Sequence, residues 1–258
     1  MKLSTFLALC VIAATPTLAQ TESQPRDLQL FLLIGQSNMA GRGTIEAQDR
    51  EPIPRVWMLT KNLAWVPAID PVHFDKTVAG VGIGRSFAKV LAAANPNAAI
   101  GLIPAAMGGS SLDEWKPGSD IYNDALRRTR AALKSGKLRG ILWHQGESDT
   151  HDDVQASSYR ERFGPFIRQL RADLNAPELP VLVGQLSETF DNPHRKTVDE
   201  QLALIPLSVP HAAFVPSAGL SHQAGQAHFN AVELREFGRR YGYSFLLLDP
   251  TWMPPSGR

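Results

Sequence analysis

The chain has 258 residues, 43% of them hydrophobic and 20% charged, which gives room for one substantial core and matches an ordinary globular protein. Its formal net charge is +1 and no polybasic run occurs, so the electrostatic footprint of a nucleic-acid binder is missing. A near-neutral balance suits a neutral or weakly charged substrate.

In chain order, residues 1–19 come first. Lys2 supplies a short positive start, Leu3 to Ile12 an apolar run, and Thr17-Leu18-Ala19 a small-residue cleavage site. This is expected to be a secretory signal cut after Ala19, leaving a single domain over residues 20–258 that is secreted or periplasmic. The apolar run is too short for a stable bilayer span, so no membrane anchor is expected. Cys10, the only cysteine, lies inside the signal and follows Leu9, whereas a lipoprotein-type signal needs a small residue there. The mature chain would then hold no cysteine, which excludes disulfides, thiolate catalysis and cysteine-bound metal. Removing Lys2 with the signal also leaves basic and acidic residues equal in number.

Short apolar runs then alternate with longer amphipathic ones. Strands are predicted at Leu28–Ile34, Ile100–Pro104, Ile141–His144, Val181–Leu186 and Ala213–Val215, apolar at consecutive positions as strands buried on both faces are. Helices are predicted at Ser86–Ala94, which stops before Asn95-Pro96, and at Ile121–Ser135, which ends at Gly136. A third runs from Tyr159 to Leu174, where Gly164-Pro165 should break or kink the first turn, and a last one from about Ala231 to Leu246. Residues 44–80 read as an irregular insertion with several prolines and two tryptophans, either a binding wall or a flap covering core. The alternation argues for an α/β protein, a three-layer α/β/α sandwich around a parallel sheet of roughly five strands.

Ligands of such sheets bind at the carboxyl ends of the strands. Polar segments follow each predicted strand: Gly35-Gln36-Ser37-Asn38, then Gly108-Gly109-Ser110, then His144 to Asp149 ("HQGESD"), "SETFDN", and a stretch with His222 and His228. Acyl transfer needs a serine hydroxyl, an imidazole to take its proton, and fixed N–H donors for the oxyanion. Backbone amides at Ser37 and in the Gly108-Gly109 turn are candidate donors, with a side-chain amide from Gln145 or Asn38 as a third. On this pattern alone Ser37 is equally well a serine in a tight turn.

Four segments, "LLIGQSNMAGRG", "IGLIPAAMGGSSLDEW", "GILWHQGESD" and "HFNAVELREFGRRY", together resemble the SGNH hydrolase superfamily. More narrowly they resemble the sialate O-acetylesterase-like domain and carbohydrate esterase family 6, the acetylxylan esterases. The similarity runs in order from about Leu28 to Leu248. It implies a flavodoxin-like fold and metal-free, cofactor-free deacetylation of an O-acetylated carbohydrate, with xylan as the expected backbone. It makes Ser37 the nucleophile, with its own N–H in the oxyanion hole beside Gly108, Gly109 and the Gln145 amide. It makes His228 the general base, because His228 rather than His222 lies in the matching block.

One position departs from the family pattern. An aspartate is expected three residues before the catalytic histidine, and here that residue is Gly225. Three readings follow: Glu147 orients His228 instead, with Asp149 a weaker substitute; Ser37 and His228 act as a dyad; or the protein only binds acetylated glycan. Glu147 is favoured, since geometry rather than chain position defines a triad. His144 reads as a buttress at its strand end. The spacing of His144 and His151 matches no helical metal-ligand pair, and "GVGIGRS" at Gly80 lacks dinucleotide-loop spacing, so neither a metal nor a cofactor is expected.

Overall fold

The computed structural model describes residues 25–220 and 226–254. The expected signal, Cys10, His222 and Gly225 lie outside them. Seven strands form one sheet in the order β3-β2-β4-β1-β5-β6-β7. They are β1 (Leu28–Gly35), β2 (Val56–Leu59), β3 (Trp65–Pro67), β4 (Ile100–Pro104), β5 (Gly136–His144), β6 (Val181–Gly184) and β7 (Ala212–Val215). All neighbours pair in parallel except the β2–β3 hairpin.

Five of the strands are those predicted from consecutive apolar residues. The correction is at the sheet's edge, where β2 and β3 emerge from the supposed irregular insertion. They are three or four residues long and half-buried, too short to show a period. The insertion therefore does cover core: Val56, Leu59, Trp65, Ala68 and Val72 are buried.

The helices are α1 (Ser37–Ala40), α2 (Gly84–Ala94), α3 (Asp120–Ala132), α4 (Asp153–Ser157), α5 (Tyr159–Asp173), α6 (Arg195–Ser208) and α7 (Ala231–Leu248). α5 runs unbroken through Pro165. Glu161 and Pro165 are both on the exposed side, where water can take the carbonyl that the proline leaves unpaired. α6 and α4 were not predicted.

Along β1, alternate residues feed two cores. Leu28, Leu30, Leu32 and Ile34 join the aromatic layer containing Trp143, Phe163 and Phe166, on the α3, α5 and α6 side. Phe31 and Leu33 join Phe87, Phe237 and Phe245 of α2 and α7. Phe31 meets Phe87 and Phe245 edge-on, with ring centroids 4.9 and 5.0 Å apart. Such pairs add about 0.5–1.5 kcal/mol each beyond their burial. The result is a three-layer α/β/α sandwich whose strand ends point at one rim.

Behind that rim, glycines permit a close crossing. A Cβ on Gly43 would stand 2.6 Å from the Cα of Ala231, and one on Gly80 only 2.1 Å from the Gly43 carbonyl. The chain after α1 can therefore pass against the first residue of α7. That crossing brings the approach to α7, with His228 in it, over the end of β1.

Candidate active site

β1 ends in Gly35, whose φ of +129° and whose Cβ position, 2.1 Å from the His144 carbonyl oxygen, admit only glycine. The Gln36 N–H then bonds that carbonyl at 2.8 Å. This turn ties the exits of β1 and β5 together and starts α1 at Ser37. Across the rim, His228 precedes α7, whose first turn is closed by a reciprocal cap between Asn230 and Glu233. The two meet: His228 Nε2 lies 2.9 Å from Ser37 Oγ.

Oxyanion donors are sorted by what each N–H already does. The N–H groups of Ser37 and Gly109 donate to nothing among the described residues. Gly108 N–H is engaged, since it donates to Asp75 Oδ2 at 3.0 Å. The same carboxylate holds Arg42 at 2.7 Å, so the insertion reaches the rim after all. Burial is the largest single effect on Asp75 and pushes its carboxyl up, but Arg42 and the Gly108 N–H together outweigh it and hold the group below the ordinary carboxylate range.

Gln145 is engaged as well. Its Nε2 has two hydrogens and three acceptors: Asp149 Oδ2 at 2.7 Å, Ser110 O at 3.0 Å and Gln36 Oε1 at 3.1 Å. Its Oε1 accepts from Tyr159 at 2.7 Å, and the residue is fully buried. Gln145 thus braces the wall between β4 and β5, and its amide is not turned to the serine.

The side-chain amide that is left over belongs to Gln36. Its Oε1 accepts from Gln145 Nε2, from Ser148 N at 3.2 Å and from Gly146 N at 3.5 Å. Three donors converging on one atom fix which end is oxygen. The Nε2 hydrogens, next to Ser37 in the chain, donate to nothing among the described residues. Sequence reasoning passed over Gln36; its place directly before the serine, at the same strand exit, was the available signal.

Glu147 does not touch His228. Its Oε1 accepts from Asn38 Nδ2 at 2.5 Å and lies 3.5 Å from His144 Nε2. Burial pushes its carboxyl up, and the His144 ring together with the Asn38 amide more than offsets this, holding it below the ordinary range. Asp149 faces the opposite wall, accepting from Leu112 N at 2.9 Å and pairing with Arg162 at 2.8 Å. Its competition for the acid role ends there. His144 is fully buried and His151 exposed, so the histidine pair of this segment is split between core and surface.

The exits of β6 and β7 serve each other rather than the serine. Ser217 N donates to Gln185 Oε1 and Ser217 Oγ to Leu186 O, while Asp199 takes the Leu186 N–H. The site is therefore built from the ends of β1, β4 and β5 and the approach to α7. Lys76 stands at its edge, with its Nζ 3.8 Å from where a Cβ on Gly109 would be.

Residues 27–247 match the family described as carbohydrate esterase, sialic acid-specific acetylesterase. A probable carbohydrate esterase of Arabidopsis thaliana is 32% identical over 238 residues, 84% of this chain and 90% of that one. An Arabidopsis thaliana protein of known X-ray structure superposes with a TM-score of 0.79 at 29% identity, over 86% of this chain and 98% of that one. NanS shares the fold with a TM-score of 0.72 at 18% identity, over 89% of this chain and 99% of that one. With the family matched along nearly all of the described residues, the chain belongs to the carbohydrate esterases of the sialic acid-specific acetylesterase family.

Proposed function

We propose that this protein is an exported serine esterase that removes O-acetyl groups from acetylated carbohydrate through a covalent acetyl-enzyme. The observation that carries the reading is the 2.9 Å contact between Ser37 Oγ and His228 Nε2 at the strand ends. Ser37 Oγ attacks the acetyl carbonyl carbon as His228 Nε2 takes its proton. The tetrahedral oxyanion is met by the N–H groups of Ser37 and Gly109 and by Gln36 Nε2. Collapse expels the sugar oxygen, which leaves with the proton from His228. Water, deprotonated by the same imidazole, then releases acetate and restores Ser37.

The test is aryl acetate hydrolysis by the purified protein beside a Ser37→Ala control. Loss of activity on the order of 10⁴-fold or more is expected, and equal rates would remove the nucleophile assignment. Xylan is the proposed backbone. A second reading, an acetylated sugar bearing a carboxylate, is favoured by the Lys76 ammonium at the Gly109 turn. Acetate release from acetylated xylan and from an acetylated sialic acid, each with wild type and Lys76→Ala, separates the two. Export rests on residues 1–19, and an N-terminus at Gln20 on protein recovered outside the cytoplasm is its check. The silent glycan-binder reading, prompted by Gly225, requires affinity without acetate release at any pH.

A further inference from the structure

One amide grips the backbone on both sides of His228. Asn38 is completely buried. Its Nδ2 donates to Ala227 O at 2.9 Å, and its Oδ1 accepts from Phe229 N at 3.1 Å. Two bonds to the residues flanking one position fix the direction in which that position's side chain leaves the chain. Asn38 also follows Ser37 directly, in the same short helix. The nucleophile's neighbour therefore holds the base's neighbours.

Glu147 determines which way round that amide sits. Its Oε1 can only accept, so the 2.5 Å contact requires Asn38 to present Nδ2. Turning the amide over would set Asn38 oxygen against the Glu147 and Ala227 oxygens, and Nδ2 against the Phe229 N–H. Behind Glu147 stands His144. The one hydroxyl proton of Tyr241 goes to Trp143 O at 2.9 Å, so at 3.3 Å the His144 Nδ1 is the donor to Tyr241. The His144 Nε2 lies 3.5 Å from Glu147 Oε1 and donates there only when the ring carries its second proton as well. The His144 ring also packs with Phe237 and Phe229, at centroid distances of 5.3 and 6.0 Å, and so supports the residue after His228 directly.

We propose that Asn38 and Glu147 are positioning residues: the buried pair Glu147–Asn38 aims His228 at Ser37 by holding the backbone on either side of it. The inference rests on the reading of Ser37 and His228 as nucleophile and base. It differs from an acid bonded to the imidazole in what it asks of residue 147. A hydrogen-bond acceptor facing Asn38 is needed there, and a negative charge is not. A glutamine can present its Oε1 in the same place.

The experiment compares wild type with Asn38→Ala, Glu147→Ala and Glu147→Gln. It measures kcat and KM for an aryl acetate, thermal melts, and the His228 ring signals in a long-range ¹H–¹⁵N spectrum assigned with His228→Gln. Misplacing a catalytic group by about 1 Å lowers the rate about 10²-fold. Asn38→Ala is expected to lose about that much in kcat with KM changed less than about threefold. Glu147→Ala is expected to lose at least about tenfold and Glu147→Gln to recover most of it. The His228 signals should move in both alanine variants and stay near wild type in Glu147→Gln. If Asn38→Ala does not fold, Glu147→Ala against Glu147→Gln carries the same comparison. Unchanged kcat and His228 signals in the alanine variants overturn the proposal, as does a Glu147→Gln as impaired as Glu147→Ala. If wild type itself releases no acetate, the esterase reading fails separately, and the His228 signals still decide the positioning.

Discussion

Glu147 and Asp149 lie two residues apart in one 3-10 turn, and both are buried, yet they serve opposite walls of the site. Glu147 faces Asn38 and, through it, the backbone that carries His228. Asp149 faces Gln145, the Leu112 N–H and Arg162, and so holds the exit of β4 against α5. Closeness in sequence says little about which partner a carboxylate reaches. A turn that advances a third of a circle per residue sends nearby side chains in different directions. One acid faces the backbone around His228, and the other holds the wall between β4 and α5.

The largest expected effect breaks the wall. Asp149→Ala leaves the buried Leu112 N–H without its acceptor and takes one charged partner from Arg162, which keeps Asp113 and the Gln155 carbonyl. An orphaned buried N–H costs about 1–3 kcal/mol and a lost hydrogen bond to a charged group about 1.5–3, which together place this at about 3. Chemical denaturation checks it; a midpoint shift no larger than that of Glu147→Gln would erase the distinction between the two acids. Next comes Gln36, on the seam between them, whose Oε1 belongs to the Asp149 side and whose Nε2 faces the chemistry. Gln36→Ala is expected to lower kcat about 10²–10³-fold, the usual loss for one oxyanion donor, with KM little changed. A loss confined to KM would move Gln36 from the transition state to ground-state binding.

The smallest effect sharpens the Glu147 side. Its folded carboxyl lies below the ordinary value of 4.5, so its contribution to stability is fully present above 4.5 and is lost as pH falls through the lower, folded value. The stability difference between wild type and Glu147→Gln should therefore be flat at neutral pH and shrink on acidification below 4.5. Denaturation series from about pH 7 to about pH 3 measure it. A difference that grows in acid would mean that the pairing with His144 and Asn38 does not favour the ionised form.

Much of the fold was legible because its signal is local. Consecutive apolar residues in Leu28–Gly35 or Val181–Gly184 mark strands buried on both faces, whatever lies far away in the chain. The hairpin of β2 and β3 was not legible, since its few half-buried residues are held by pairing with β4 more than by their own pattern. Helix α6, with a weak apolar face and Pro206 near its end, hid for a similar reason.

What the sequence determined by itself was the inventory: a parallel sandwich, and a serine, a glycine pair, an amide and carboxylate segment and a histidine at its strand exits. Only the tertiary structure decided what each polar atom does. It joined Ser37 to His228, closed Gly108 on Asp75 and Gln145 on Asp149, freed the amide of Gln36, and turned Glu147 to Asn38. The physical reason is the range of the forces. Apolar burial is non-directional and survives in a one-dimensional pattern, whereas a hydrogen bond depends on tenths of an ångström and on angle between residues as far apart as 37 and 228.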